Sequence, residues 1–214
     1  MSWANDPVRD QARGDALRLL RSVPAITDIS YLDSNGIEQL KLSRVAPDIA
    51  TQTDFSHDPK FTDAVAKKAY YGPVYLRRQS EPYLTMSFAG AQREYGVIVV
   101  EVGIKLVWDV IQRVGVGQNG AAYIVDAQDW VIAHSNPMLV VREIDSRSIG
   151  RSVERKFPDA VRLHEARVER SGAKLAHDSN GRELLTVHAA VGSGELGWML
   201  FAEVPVEEAG TLAQ

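Results

Sequence analysis

Two stretches of this 214-residue chain run through the same succession of patterns in the same order, and that duplication constrains the fold more than any single motif. Each begins with a β-rich run, an acidic turn and a second β-rich run. The first spans Ile29 to Leu42 around Asp33-Ser-Asn-Gly36, the second Ala122 to His134 around Asp126-Ala-Gln-Asp129. Apolar alternation on both sides of such a turn predicts a β-hairpin. Each stretch continues with a helix. In the first, Asp58-Pro59 supplies a cap and a first-turn proline, Phe61, Ala64, Val65 and Lys68 follow one face, and Gly72-Pro73 is expected to end it. In the second, the helical segment lies between Phe157-Pro158 and Arg170, with Ser171-Gly172 closing it. Each stretch then ends in strands. Those of the first are Val74 to Arg78, Tyr83 to Ala89 and Tyr95 to Val102, and those of the second are two runs around Asp178-Ser-Asn-Gly181 followed by Gly197 to Val204.

Individual residues echo as well. Thr85-Met-Ser-Phe-Ala89 is matched by Thr186-Val-His-Ala-Ala190, and Gly96-Val-Ile-Val-Val-Glu-Val102 by Gly197-Trp-Met-Leu-Phe-Ala-Glu-Val204. A duplicated supersecondary plan accounts for matches that keep their order. The expected class is therefore α+β, with two modules in series, each a mainly antiparallel five-stranded sheet with flanking helices. An N-terminal helix (1–24) precedes them, capped at Asp6-Pro7 and stopped by Pro24. The modules span 25–103 and 118–207. A connecting helix and linker, 104–117, carries Leu106, Val107, Trp108, Val110, Ile111 and Val114, and residues 208–214 form a tail. A helical excursion crossing one face of a sheet leaves space beneath it for a small molecule.

Composition excludes several activities. A net charge of -4 with no basic cluster argues against nucleic acid, whose phosphates call for a concentrated positive surface. The chain has no cysteine, so disulfides, thiolate metal sites and cysteine nucleophiles are excluded together. Its five histidines, His57, His134, His164, His177 and His188, fall in no metal-ligand spacing. Gly115-Val-Gly-Gln-Asn-Gly120 precedes a strand instead of following one, so it reads as a linker and not a nucleotide loop. No catalytic motif is present, and the chain is read as a non-enzyme. No run approaches the roughly 18 apolar residues of a membrane span, and the opening residues lack the pattern of a signal peptide.

With this order in place the chain resembles the double Cache family, the tandem PAS-like sensor regions found outside the membrane in bacterial histidine kinases, nucleotide cyclases and chemoreceptors. The resemblance rests on Tyr70-Tyr-Gly-Pro-Val-Tyr75, Ser80-Glu-Pro-Tyr83, Gly96 to Val102 with Ile104 to Val110, Gly120 to Asp126, Ile132-Ala-His134 and Gly197-Trp198. It implies a membrane-distal first module, a proximal second one, and flanking membrane spans absent from this chain. The domain would be periplasmic, belong to a two-component system or cyclase, and dimerise within the full-length receptor. It implies no cofactor.

Ligand residues of that family line the distal module, which points here to Tyr70, Tyr71, Tyr75, Arg77, Tyr83, Thr85 and Glu101. The arginine and tryptophan that amino-acid-sensing relatives carry after their Asp-Pro are missing from Pro59-Lys-Phe-Thr-Asp63. With Arg77 among tyrosines, the expected ligand is a small anion such as a carboxylate, since a guanidinium can bind a carboxylate through two parallel hydrogen bonds. No equivalent polar cluster is evident in the second half, which reads as a relay. Two further readings stay open: a cytosolic tandem PAS holding a flavin or haem, and a dimerisation spacer without ligand.

Overall fold

The repeated hairpins share one local construction. In the first, the Asp33 carboxylate accepts hydrogen bonds from the backbone N–H groups of Asn35 (2.9 Å) and Ile37 (3.1 Å), and Gly36 takes φ +85°. In the second, Asp126 accepts from Gln128 and Trp130, both at 2.9 Å, with Asp129 at φ 69° in the glycine's place. A third copy at Asp178 accepts from Asn180 (2.8 Å) and Arg182 (2.9 Å), with Gly181 at φ +80°. An aspartate that bonds backbone donors two and four residues on, followed by a left-handed residue, closes the turn by itself. The sequence thus specifies three hairpins locally.

A computed structural model of the protein describes residues 7–44, 52–77, 81–136, 160–178, 180–192 and 194–210. The expected cap at Asp6, the segment around Phe157-Pro158, Arg78 and residues 211–214 of the tail lie outside them. The elements in chain order are α1 (Pro7–Ser22), β1 (Ile26–Leu32), β2 (Glu38–Ser43), α2 (Pro59–Lys67), β3 (Ala69–Arg77), β4 (Glu81–Ala89), β5 (Val97–Gly103), α3 (Lys105–Arg113), β6 (Ala121–Val125), β7 (Val131–His134), α4 (Ala160–Glu169), β8 (Ser171–His177), β9 (Glu183–Ala190), β10 (Met199–Pro205) and α5 (Val206–Ala209). Two five-stranded sheets form, in the orders β2-β1-β5-β4-β3 and β7-β6-β10-β9-β8. Counted within each module, both read 2-1-5-4-3, and every pairing with a defined register is antiparallel. This is the α+β, tandem PAS-like plan expected from the duplication. Two compact units result, Met1–Gly72 with Glu81–Ile104 and Pro73–Ser80 with Lys105–Gln214.

In the first unit each face of the sheet buries a different helix. Ile29, Leu40, Leu42 and Val100 pack with Leu20, Ala16 and Leu17 of α1. Leu32, Val97 and Val99 pack with Phe61, Ala64 and Val65 of α2. Strand alternation sends neighbouring residues of β5 to opposite helices. Arg44 fastens the end of α1 to the sheet, donating to the carbonyls of Ile26 (2.6 Å) and Val23 (3.1 Å).

The second unit repeats the α2-type core. Leu163 and Ala166 of α4 pack on Tyr123, Val125, Val131, Met199 and Phe201. Helix α3 packs against β6 and β7, and its Trp108 Nε1 donates to the Ile132 carbonyl at 2.6 Å.

Two boundaries differ from the sequence reading. Helix α2 ends at Lys67 because Lys68 takes a left-handed φ of 72°, so Tyr70-Tyr-Gly-Pro73 belongs to β3 and not to a helix end. Pro73 is tolerated there because β3 is an edge strand, where a missing N–H costs no ladder bond. Tyr95, expected in the last strand, lies in a short 3-10 turn at Arg93–Tyr95, and β5 starts at Val97 after Gly96 at φ +64°.

Candidate functional site

On the side of the first sheet that carries α2, the apolar core gives way to polar groups toward one end. Thr85 and Glu101 are directly opposed on β4 and β5, and the Thr85 hydroxyl lies 3.0 and 2.9 Å from the two carboxylate oxygens. Asp28 opposes Glu101 on the next strand, β1, and is buried at 6% exposure, with the Thr27 hydroxyl donating to it at 2.8 Å. Two residues along β4 from Thr85, the Ser87 hydroxyl is fully buried and has no hydrogen-bond partner among the described residues. Strands β1, β4 and β5 contain no basic residue. The face therefore offers acceptors and hydroxyls in a row across three strands.

Tyr70 joins this face from β3. Its ring packs with the Leu32, Phe61 and Val97 cluster and runs along the strand over Gly72, where an added Cβ would stand 3.2 Å from both Cε1 and the hydroxyl oxygen of Tyr70. Burial first, and then the carboxylates of Asp58, Asp63 and Glu101, push the Tyr70 phenol above its ordinary value of 10.0. Tyr83 opposes Gly103, whose ideal Cβ position lies 3.7 Å from the Tyr83 ring.

The structure thus gathers Tyr70, Tyr83, Thr85 and Glu101 on one face. Tyr71 points to the other, where its ring meets Phe88 edge-on at 6.1 Å. Tyr75 and Arg77 alternate with Val74 and Leu76 along β3 and group with the second unit, whereas the other five group with the first.

The expectation that the second module lacks a polar cluster is corrected. Thr186 and Glu203 are opposed on β9 and β10 as Thr85 and Glu101 are on β4 and β5, with 3.4 Å between hydroxyl and carboxylate. Glu203 also accepts from the Tyr123 hydroxyl at 2.7 Å and pairs with Arg162 of α4 at 2.8 Å, their side chains being 15% and 14% exposed. Arg162 reaches Tyr123 as well, at 3.3 Å, and its guanidinium lies 6.0 Å from the centre of the Phe201 ring. Tyr123 stacks between His134 (5.6 Å) and Phe201 (5.4 Å). Burial and the neighbouring Glu203 carboxylate raise the Tyr123 phenol far above 10.0. His188, 4% exposed, occupies the position equivalent to Ser87, and its Nε2 lies 3.4 Å from the Glu169 carboxylate. Tyr123, Arg162 and Glu203 are too far apart in the chain to form a motif. The one available signal was the echo itself, in which both copies carry a Thr and a Glu at matching places.

No family model and no curated protein matches the sequence. Solved structures do match over most of its length. The extracellular domain assigned to the histidine kinase mmHK1S-Z2 superposes with a TM-score of 0.69 at 15% identity, covering 94% of this chain and 82% of its own. That of mmHK1S-Z3 gives 0.67 at 14% identity, covering 94% and 83%. The ligand-binding domain of the Campylobacter jejuni chemoreceptor Tlp3, solved with L-valine, gives 0.59 at 14% identity, covering 90% and 71%. At these identities the likeness shows the fold. It is the tandem PAS-like fold of extracellular sensor domains, in agreement with the double Cache resemblance of the sequence.

Proposed function

We propose that this chain is the extracytoplasmic sensor region of a transmembrane receptor, and that the α2 side of its first module holds a small ligand carrying an ammonium or other cationic group. The observation that carries the reading is the Thr85–Glu101 pair beside Asp28 and the buried, unbonded Ser87 hydroxyl. Acidic and hydroxyl groups facing inward on β1, β4 and β5, three strands without basic residues, suit a cation or a hydrogen-bond donor. A carboxylate approaching this face would meet like charge, with a repulsion of about 4 kcal/mol per unit charge at 4 Å in a partly screened site. For this reason the geometry favours a cationic head over the small anion that Arg77 suggests from sequence.

The second module supports the same assignment from within the chain. There the equivalent glutamate, Glu203, is occupied by a guanidinium. A ligand that binds one state of the receptor better than another shifts their populations by that difference in affinity. A histidine kinase is the output this reading favours, and membrane anchoring would come from flanking segments. Among the described residues no helix is long and apolar enough to cross a membrane.

The test is a thermal-shift screen of the purified chain against small amines, amino acids, carboxylates and sugars. The reading expects an ammonium-bearing compound to raise the melting temperature. Stabilisation by carboxylates alone, dependent on Arg77, would return the assignment to an anion.

A further inference from the structure

The two modules match closely enough for one to be read against the other. Lys68 and Arg170 both end their helices in left-handed backbone, at φ 72° and 64°, and their carbonyls accept from Ala89 and Ala190, the last residues of β4 and β9. Counting back from these, Phe61 and Ala64 of α2 correspond to Leu163 and Ala166 of α4, and both pairs are buried in their cores. Arg162 then corresponds to Lys60. The two side chains end in different places. Lys60 Nζ lies 3.5 Å from the centre of the Phe55 ring and 3.9 Å from Asp58. Arg162 lies across the Phe201 ring and pairs with Glu203.

We infer that the second module contains a cation site which the chain fills with its own Arg162, and which, once vacated, takes a small guanidinium compound. The site has the parts a binding site for that group needs. A carboxylate is held in place by Tyr123 (2.7 Å) and Thr186 (3.4 Å), a phenol oxygen stands 3.3 Å from the guanidinium, and an aromatic ring lies below it. A planar, weakly hydrated guanidinium suits such a place better than a compact ammonium. While Arg162 is present the site is occupied, and the second module is shut to an external cation at this position. The inference concerns residues of the second module alone and does not depend on what the first module binds.

The experiment is chemical rescue with methylguanidine. Arg162→Ala opens the space, whereas Arg162→Met fills it without charge. Methylguanidine should raise the melting temperature of the alanine variant by several degrees, with the wild type and the methionine variant unmoved. If the alanine variant accumulates unfolded, refolding it with and without methylguanidine gives the same reading, with soluble protein recovered only in its presence. Equal shifts in all three proteins, or no difference in shift or recovery with the compound, would overturn the inference.

Discussion

Glu101 and Glu203 hold the same place in their two sheets, each opposed by a threonine on the neighbouring strand whose hydroxyl reaches its carboxylate. Around Glu203 the chain adds its own cation, Arg162, while the corresponding Lys60 lies over Phe55. One scaffold carries an acid paired with an arginine of the chain in the second module and, on the proposal above, an acid that contacts the ligand in the first.

The Arg162–Glu203 pair is largely withdrawn from solvent, with side chains 15% and 14% exposed, so removing one partner strands the other. Arg162→Ala is expected to cost about 3–5 kcal/mol in denaturant unfolding, and an Arg162→Met, Glu203→Leu double variant to recover most of that loss. Additive losses in the double variant would show that the cost lies in packing and not in an uncompensated charge.

Ser87 carries a hydroxyl that is buried without a hydrogen bond among the described residues. Ser87→Ala should therefore hold or raise stability, by up to about 1 kcal/mol, since it removes an unmet polar group. Weaker ligand binding by the same variant would place Ser87 in the site. A loss of stability of that size would mean that the hydroxyl is satisfied in solution.

Burial raises the Asp126 carboxyl above its ordinary value, against backbone bonds from Trp130 and Gln128 and the charge of Arg167. A raised acid holds its proton more tightly when folded, so its contribution to stability is greatest in acid and declines as pH rises through the folded value. Asp126→Asn keeps an acceptor oxygen for both N–H groups and does not ionise. It should be more stable than the wild type at neutral pH, and the gap should close below the ordinary aspartate value. A gap that widens in acid would contradict the assignment.

Gly36 and Gly181 occupy turns of the same construction at φ +85° and +80°, but an alanine Cβ at Gly36 would stand 2.7 Å from the Ser56 Cα, while at Gly181 it meets nothing within 4 Å. Gly181→Ala should cost about 1–2 kcal/mol for the left-handed backbone alone, and Gly36→Ala clearly more. Chemical denaturation of the two variants checks the order.

Much of the fold was legible because it is written in short-range chemistry. Asp33, Asp126 and Asp178 each close a turn with bonds to residues two and four positions on, and the apolar alternation of β4 and β5 separates the two helix-covered faces. The extent of β3 was not legible, because Gly72-Pro73 reads as a helix stop until the strand is known to lie at an edge. The site was partly legible. Thr85, Glu101, Tyr70 and Tyr83 share a face, as alternation allows, but Tyr71 does not. Arg162 was hidden because its role depends on Glu203 and Tyr123, which only the sheet brings beside it.

The most direct test of the ligand assignment is calorimetric titration of the best ammonium-bearing compound into the wild type, Glu101→Gln and Arg77→Gln. The account predicts at least tenfold weaker binding to Glu101→Gln, whose fold and melting temperature are preserved, and an affinity for Arg77→Gln closer to the wild type. Binding unchanged by Glu101→Gln, or abolished by Arg77→Gln alone, would contradict it.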